Sequence, residues 1–99
     1  MIRTIIIEDE ENSRVVLSDK LNRHFKNIEV MAMCKNNEEA MAAIEHLQPE
    51  LVFSDIELGS NSVFEMLQQL PSINFSIIFT TSYDQYAIKA IKFSALDIY

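Results

Sequence analysis

The chain has 99 residues, 48% of them hydrophobic, which makes one domain, residues 1–99, with enough apolar side chain for a compact core. A net charge of −7 repels phosphate backbones and excludes direct nucleic-acid binding by this segment, while the single cysteine, Cys34, excludes an internal disulfide or a thiolate zinc cluster. The longest apolar runs are a few residues, against roughly 20 for a membrane span, and "MIRTIII" runs straight into acids without a cleavage site, so a cytoplasmic protein without membrane contact is expected.

The first apolar run, "TIII" (4–7), predicts a strand. Leu17, Leu21 and Phe25 then recur at i, i+4, i+8, the spacing of one helix face, in a helix beginning near Asn12. "IEVMAM" (28–33) predicts the second strand, and Ala40, Ala43, Ile44 and Leu47 the second helix. "LVF" (51–53) is the third strand, Val63, Met66, Leu67 and Leu70 mark the third helix, and "IIF" (77–79) is the fourth strand. A less one-sided helix follows over 84–93, and "ALDIY" opens a fifth strand. Unbroken apolar runs suit strands covered on both faces, and strict alternation with helices predicts an open, doubly wound α/β parallel sheet. Gly59 is the only glycine, so neither a phosphate-binding P-loop nor a GxGxxG dinucleotide fingerprint exists.

Ligands of such sheets bind beyond the carboxyl ends of the strands. Strand one closes on Glu8 and Asp9, strand three on Asp55, and strand four on Thr80, Thr81 and Ser82. Carboxylates gathered at one edge repel unless a cation or proton lies between them, and a hard oxygen set suits Mg²⁺ or Mn²⁺. Mg²⁺ commonly shares its coordination with phosphate, a carboxylate can attack phosphorus, and a hydroxyl such as that of Thr81 can bind a phosphoryl oxygen. Each residue also has an ordinary structural use: the acids 8–11 can favour a helix N-terminus, Asp55 can sit in a turn, and the hydroxyls can be strand and cap residues. The coincidence of acids closing strands one and three with hydroxyls closing strand four favours a site.

These residues resemble the receiver domains of two-component response regulators. "IIIEDEENSR" is similar to the family's first strand and acidic pair, "PELVFSDIEL" to the segment carrying the phosphoacceptor, and "IIFTTSYDQYAIKA" to the fourth strand with its hydroxyl, with Ser82 where the family usually has Ala. The resemblance spans the whole chain, and the "SYDQYAIKA" wording is most similar to regulators whose receiver precedes a LytTR-type DNA-binding domain. It implies a flavodoxin-like (βα)5 fold and phosphorylation of Asp55 by a histidine kinase. It further implies Mg²⁺ held by Asp9, Asp55 and the backbone carbonyl of Glu57 with Glu8 acting through water, and Thr81 as the switch hydroxyl. The surface of helix four and strand five would then control an output domain, and a homodimer is compatible with this reading. Such a module is not a turnover enzyme.

The chain also departs from the family. Val63 stands where Gly is common, the aromatic switch position falls on Ile98 or Tyr99, and the lysine that follows strand five has no counterpart, Lys89 and Lys92 lying on the fourth helix. The last helix is missing as well, so a truncated fragment is expected, with apolar surface left wet at about 25 cal/mol per Å² and a tendency to self-associate. Two other readings stay open: a degenerate receiver that binds partners without phosphorylation, and a Mg²⁺-dependent phosphatase with Asp55 as nucleophile and Glu57 as general acid. His24 and His46 suit helix C-termini, Met31, Met33 and Met66 suit core filling, and Cys34 suits the end of a strand. Tyr83, Tyr86, Ile88 and Phe93 spread over more than one face of helix four, as a partner surface would require.

Overall fold

A computed structural model of the chain describes residues 1–80 and the backbone of residues 95–98. The predicted helix over 84–93, with Tyr83, Tyr86, Ile88, Lys89, Lys92 and Phe93, lies outside the described residues, as do Thr81, Ser82 and Tyr99. Elements follow in the order β1 (Ile2–Ile7), α1 (Glu11–His24), β2 (Ile28–Cys34), α2 (Asn37–Leu47), β3 (Leu51–Ser54), β4 (Glu57–Leu58), β5 (Asn61–Ser62), α3 (Val63–Gln69), β6 (Ser76–Phe79) and β7 (Ala95–Ile98). Five strands form one parallel sheet in the order β2-β1-β3-β6-β7. The doubly wound parallel sheet is the one expected from the alternation of strands and helices, and its flavodoxin-like form is the one the family resemblance implied.

Isoleucine at three successive positions suits β1 to an interior place in the sheet. Ile5, Ile6 and Ile7 are each fully buried, which a strand achieves only when both its neighbours and both faces are covered. Ile5 and Ile7 face the larger core, where α2 and α3 bring Ala40, Val63, Phe64, Met66 and Leu67 against Val52, Ile77 and Phe79. The Phe64 and Phe79 rings meet there at 5.5 Å in a tilted arrangement. Ile6 faces the opposite, smaller core with Leu21, Ile28 and Leu51, which Leu17 of α1, Phe53 and Ile78 extend. Between α1 and the sheet this second face opens into a groove of about 910 Å³, walled by Leu17, Leu21, Phe53 and Ile78 and reaching Glu8, Asp55 and Thr80 at one end.

The helix ends show local sequence at work. Asn36 caps α2, its Oδ1 accepting the Glu39 N–H at 2.8 Å, while the Glu39 carboxylate accepts the Lys35 N–H at 3.0 Å. Ser62 and Glu65 form a reciprocal capping box on α3. Helical periodicity overran two ends: Phe25 and Leu70 are extended C-cap residues rather than helical ones, and Phe25 is 51% exposed. Its apolar side chain extends the i, i+4 pattern, but the backbone has already turned toward Lys26 and Asn27. His24 lies in the last turn of α1, and His46, in the last turn of α2, has Nδ1 2.8 Å from the Ala42 carbonyl.

Strand β2 holds an irregularity. Thr4 pairs with Val30 and Ile5 with Ala32, so Met31 has no partner in β1. Ahead of it Ile28 and Val30 face the α1 side; beyond it Ala32 and Cys34 face the α2 side. Met31 and Met33 are therefore exposed rather than core filler, whereas Met66 is buried. Cys34 closes β2 as a buried residue, and burial together with the nearby Glu39 charge pushes its thiol up to about 11.

Candidate functional site

The chain leaves β1 first to one side, to β2, and then to the other, to β3, so strand order reverses between β1 and β3. Their ends are level, Ile7 opposite Ser54. The ladder continues one step beyond each strand: the Glu8 N–H donates to the Cys34 carbonyl at 2.8 Å, the Asp55 N–H to Ile7 at 2.9 Å and the Thr80 N–H to Ser54 at 2.8 Å. Pairing alone therefore sets Glu8 beside Asp55 at the carboxyl edge of the sheet.

Glu8, Asp9 and Asp55 each bring a carboxylate oxygen to within 4.8 Å of the others. Glu8 is buried, Asp55 half-buried and Asp9 exposed. Backbone donors fix all three: the Glu10 N–H to Glu8 Oε1 at 3.2 Å, the Gly59 N–H to Asp9 Oδ2 at 3.0 Å, and the Ile56 N–H to Asp55 Oδ1 at 2.7 Å. The Glu57 N–H also bonds the Asp55 carboxylate. Gly59 reaches Asp9 because it turns the small β4–β5 hairpin at φ +67°, a left-handed conformation native to glycine. From α1, Arg14 Nη1 donates to the carbonyls of Glu8 and Asp9, at 2.8 and 3.2 Å.

Burial pushes the Glu8 carboxyl up to about 7, opposed by the Glu10 N–H and reinforced by the charges of Asp55 and Asp9. Burial also raises Asp55, while hydrogen bonds from Glu8, Ile56 and Glu57 pull it down. Burial thus favours the protonated form of both carboxyls, and the hydrogen bond between Glu8 and Asp55 couples their titration. Among the described residues no lysine, arginine or histidine forms an ion pair with any of the three acids. A recess of about 250 Å³ lined by Glu8, Asp9, Glu10, Asp55, Glu57 and Gly59 leaves room for an ion with waters. An all-oxygen, anionic donor set without a cationic partner fits a hard divalent ion.

The expected acids thus converge, and the helix-cap alternative does not describe Glu8 or Asp9, since Glu10 is the N-cap of α1 and makes no side-chain cap bond. Asp55 does hold the following turn through Ile56 and Glu57, in addition to facing the other two acids. Glu57 opens β4 and lines the same recess. Thr80 follows β6, whereas Thr81 lies outside the described residues. Sequence reasoning passed over Gly59 as an anchor and Arg14 altogether; their signals were a sole glycine four positions after Asp55 and an arginine five positions after Asp9.

Residues 4–98 match the model of the response regulator receiver domain. The chain belongs to that family, and is a receiver domain of a two-component response regulator. It is 41% identical over 98 residues to an uncharacterized response regulatory protein of Yersinia pestis and 36% identical over 102 residues to the transcriptional regulatory protein BtsR of Escherichia coli K12, in each case over 98% of this chain. It spans 41% of the length of these relatives. The fold matches the response regulator domain of Thermotoga maritima CheB with a TM-score of 0.85 at 22% identity, over 100% of this chain and 77% of that one. Response regulator TrrA of Thermotoga maritima, solved in complex with Mg²⁺-BeF, matches with a TM-score of 0.81 at 26% identity, over 99% and 84% of the two chains. No described helix is long and apolar enough to cross a membrane.

Proposed function

We propose that Asp55 is the phosphoacceptor of a cytoplasmic phosphorelay. The observation that carries this is the convergence of Glu8, Asp9 and Asp55 at the point where strand order reverses. An Asp55 carboxylate oxygen attacks the phosphorus of a kinase phosphohistidine, an O–P bond forms, and the P–N bond breaks to return imidazole to the kinase. The Ile56 and Glu57 N–H groups support this by favouring the ionised Asp55. Glu8, Asp9, Asp55 and the Glu57 carbonyl would hold Mg²⁺, or Mn²⁺ in its place, which supplies neutralisation of phosphoryl oxygens when bound. The Mg²⁺-BeF complex of TrrA supports the assignment by similarity. Thr81 serves as the switch hydroxyl, and phosphorylation shifts the population of the surface formed by the helix predicted over 84–93 and β7.

That surface regulates an output domain of LytTR type acting on transcription, a reading supported by the resemblance of "SYDQYAIKA" and by similarity to BtsR, whose name is that of a transcriptional regulator. The test is intact-protein mass spectrometry after incubation with Mg²⁺ and acetyl phosphate. One added phosphoryl group is expected in the wild type and none in Asp55→Asn or without Mg²⁺. No uptake by the wild type would leave a binding module that works without phosphorylation, and sustained turnover of a chromogenic phosphoester would make the protein a phosphatase instead.

A further inference from the structure

We propose that Arg14 is a positioning residue for the divalent-cation site, bracing the backbone so that the adjacent Glu8 and Asp9 carboxylates face one point; this rests on the cation reading above. In an extended strand successive side chains point to opposite faces, so neighbours cannot both reach one ion unless the chain bends between them. Here the bend follows the last sheet bond of β1, the Glu8 N–H to Cys34. The carbonyls of Glu8 and Asp9 take no part in the sheet ladder, and both accept from one guanidinium nitrogen, at 2.8 and 3.2 Å. Arg14 is itself fixed, since its N–H makes the opening bond of α1 to the Glu10 carbonyl at 3.0 Å, and its side chain is half-buried. One helical residue thus ties the bend to the rigid first turn of α1. Donors behind metal ligands commonly govern affinity in this way.

The sign of the effect separates a brace from a charge. A guanidinium near a cation site opposes the cation by Coulomb repulsion, so removing a mere charge tightens binding, whereas removing a brace weakens it. Mg²⁺ alone is titrated calorimetrically into the wild type, Arg14→Met, Arg14→Gln and Arg14→Lys, well below the melting temperature of each and with the fold checked by circular dichroism. Methionine keeps the apolar stem, and glutamine is polar but too short to reach both carbonyls. Both are expected to bind Mg²⁺ about 10–100-fold more weakly, with lysine recovering much of the loss. Wild-type or tighter affinity in the neutral variants overturns the proposal while leaving the cation site in place. Unfolding of both neutral variants assigns Arg14 to the fold and overturns it as well. A wild type that takes up no Mg²⁺ removes the cation reading, and this inference with it.

Discussion

At the end of β1, Glu8 carries a carboxyl that burial, with Asp55 and Asp9, pushes up to about 7, so cation-free protein near neutral pH keeps a proton in the cluster. The folded state then binds that proton more tightly than the unfolded chain, whose glutamate titrates at 4.5. Stability from this group is complete below pH 4.5 and is lost as pH rises through about 7. Asp55, also raised, adds a contribution of the same sign. Melting curves in EDTA should therefore show wild-type stability falling across this window relative to Glu8→Gln, and a flat difference would show that Glu8 is not perturbed. Because a bound cation must displace the proton, Mg²⁺ should bind more tightly above pH 7 than at pH 4.5, with proton release visible in buffers of different ionisation enthalpy. The acids were legible in the sequence because Glu8 directly follows an apolar run and Asp9 and Asp55 each lie one residue further on. Arg14 was not, since a basic residue near the start of a helix reads as solvated until the carbonyls it meets are seen.

Among the elements, α3 depends most plainly on its cap. It spans only Val63–Gln69, too short to persist on propensity alone, and the Ser62–Glu65 box closes its N-terminus. Ser62→Ala should cost about 1 kcal/mol in urea unfolding, and an unchanged midpoint would show that packing of Val63, Phe64, Met66 and Leu67 suffices. The cap residue belongs to β5, and the hairpin it completes with β4 carries Gly59 to Asp9. Damage at Ser62 should therefore also loosen the hold of Gly59 on Asp9 and with it the carboxylate cluster. Strands and the first three helices were readable from apolar runs and helical spacing. Two-residue strands such as β4 and β5 fall below any periodic signal, and periodicity cannot mark where Phe25 or Leu70 leaves the helical backbone, because a side chain stays apolar after its φ and ψ have changed.

At the scale of the whole molecule, the described residues cover the two faces of the sheet unequally. The face toward α2 and α3 buries a continuous core, while the face toward α1 keeps a groove walled by Leu17, Leu21, Phe53 and Ile78, with exposed Val16 beside it. Apolar area of that kind favours association. The native chain should enhance the fluorescence of an apolar dye such as ANS and sediment faster as concentration rises; a dark dye and a constant sedimentation coefficient would show the groove closed in solution. The unpartnered Met31 bears on how this sequence tolerates changes of length. Losing one residue from a paired strand sends every later side chain to the wrong face. In β2 the extra residue already sits between Val30 and Ala32, so deleting Met31 restores consecutive pairing with Thr4 and Ile5 and leaves Ala32 and Cys34 on the face they already occupy. A chain lacking Met31 should stay soluble and melt cooperatively near the wild type, whereas one lacking Val52 of β3 should not fold.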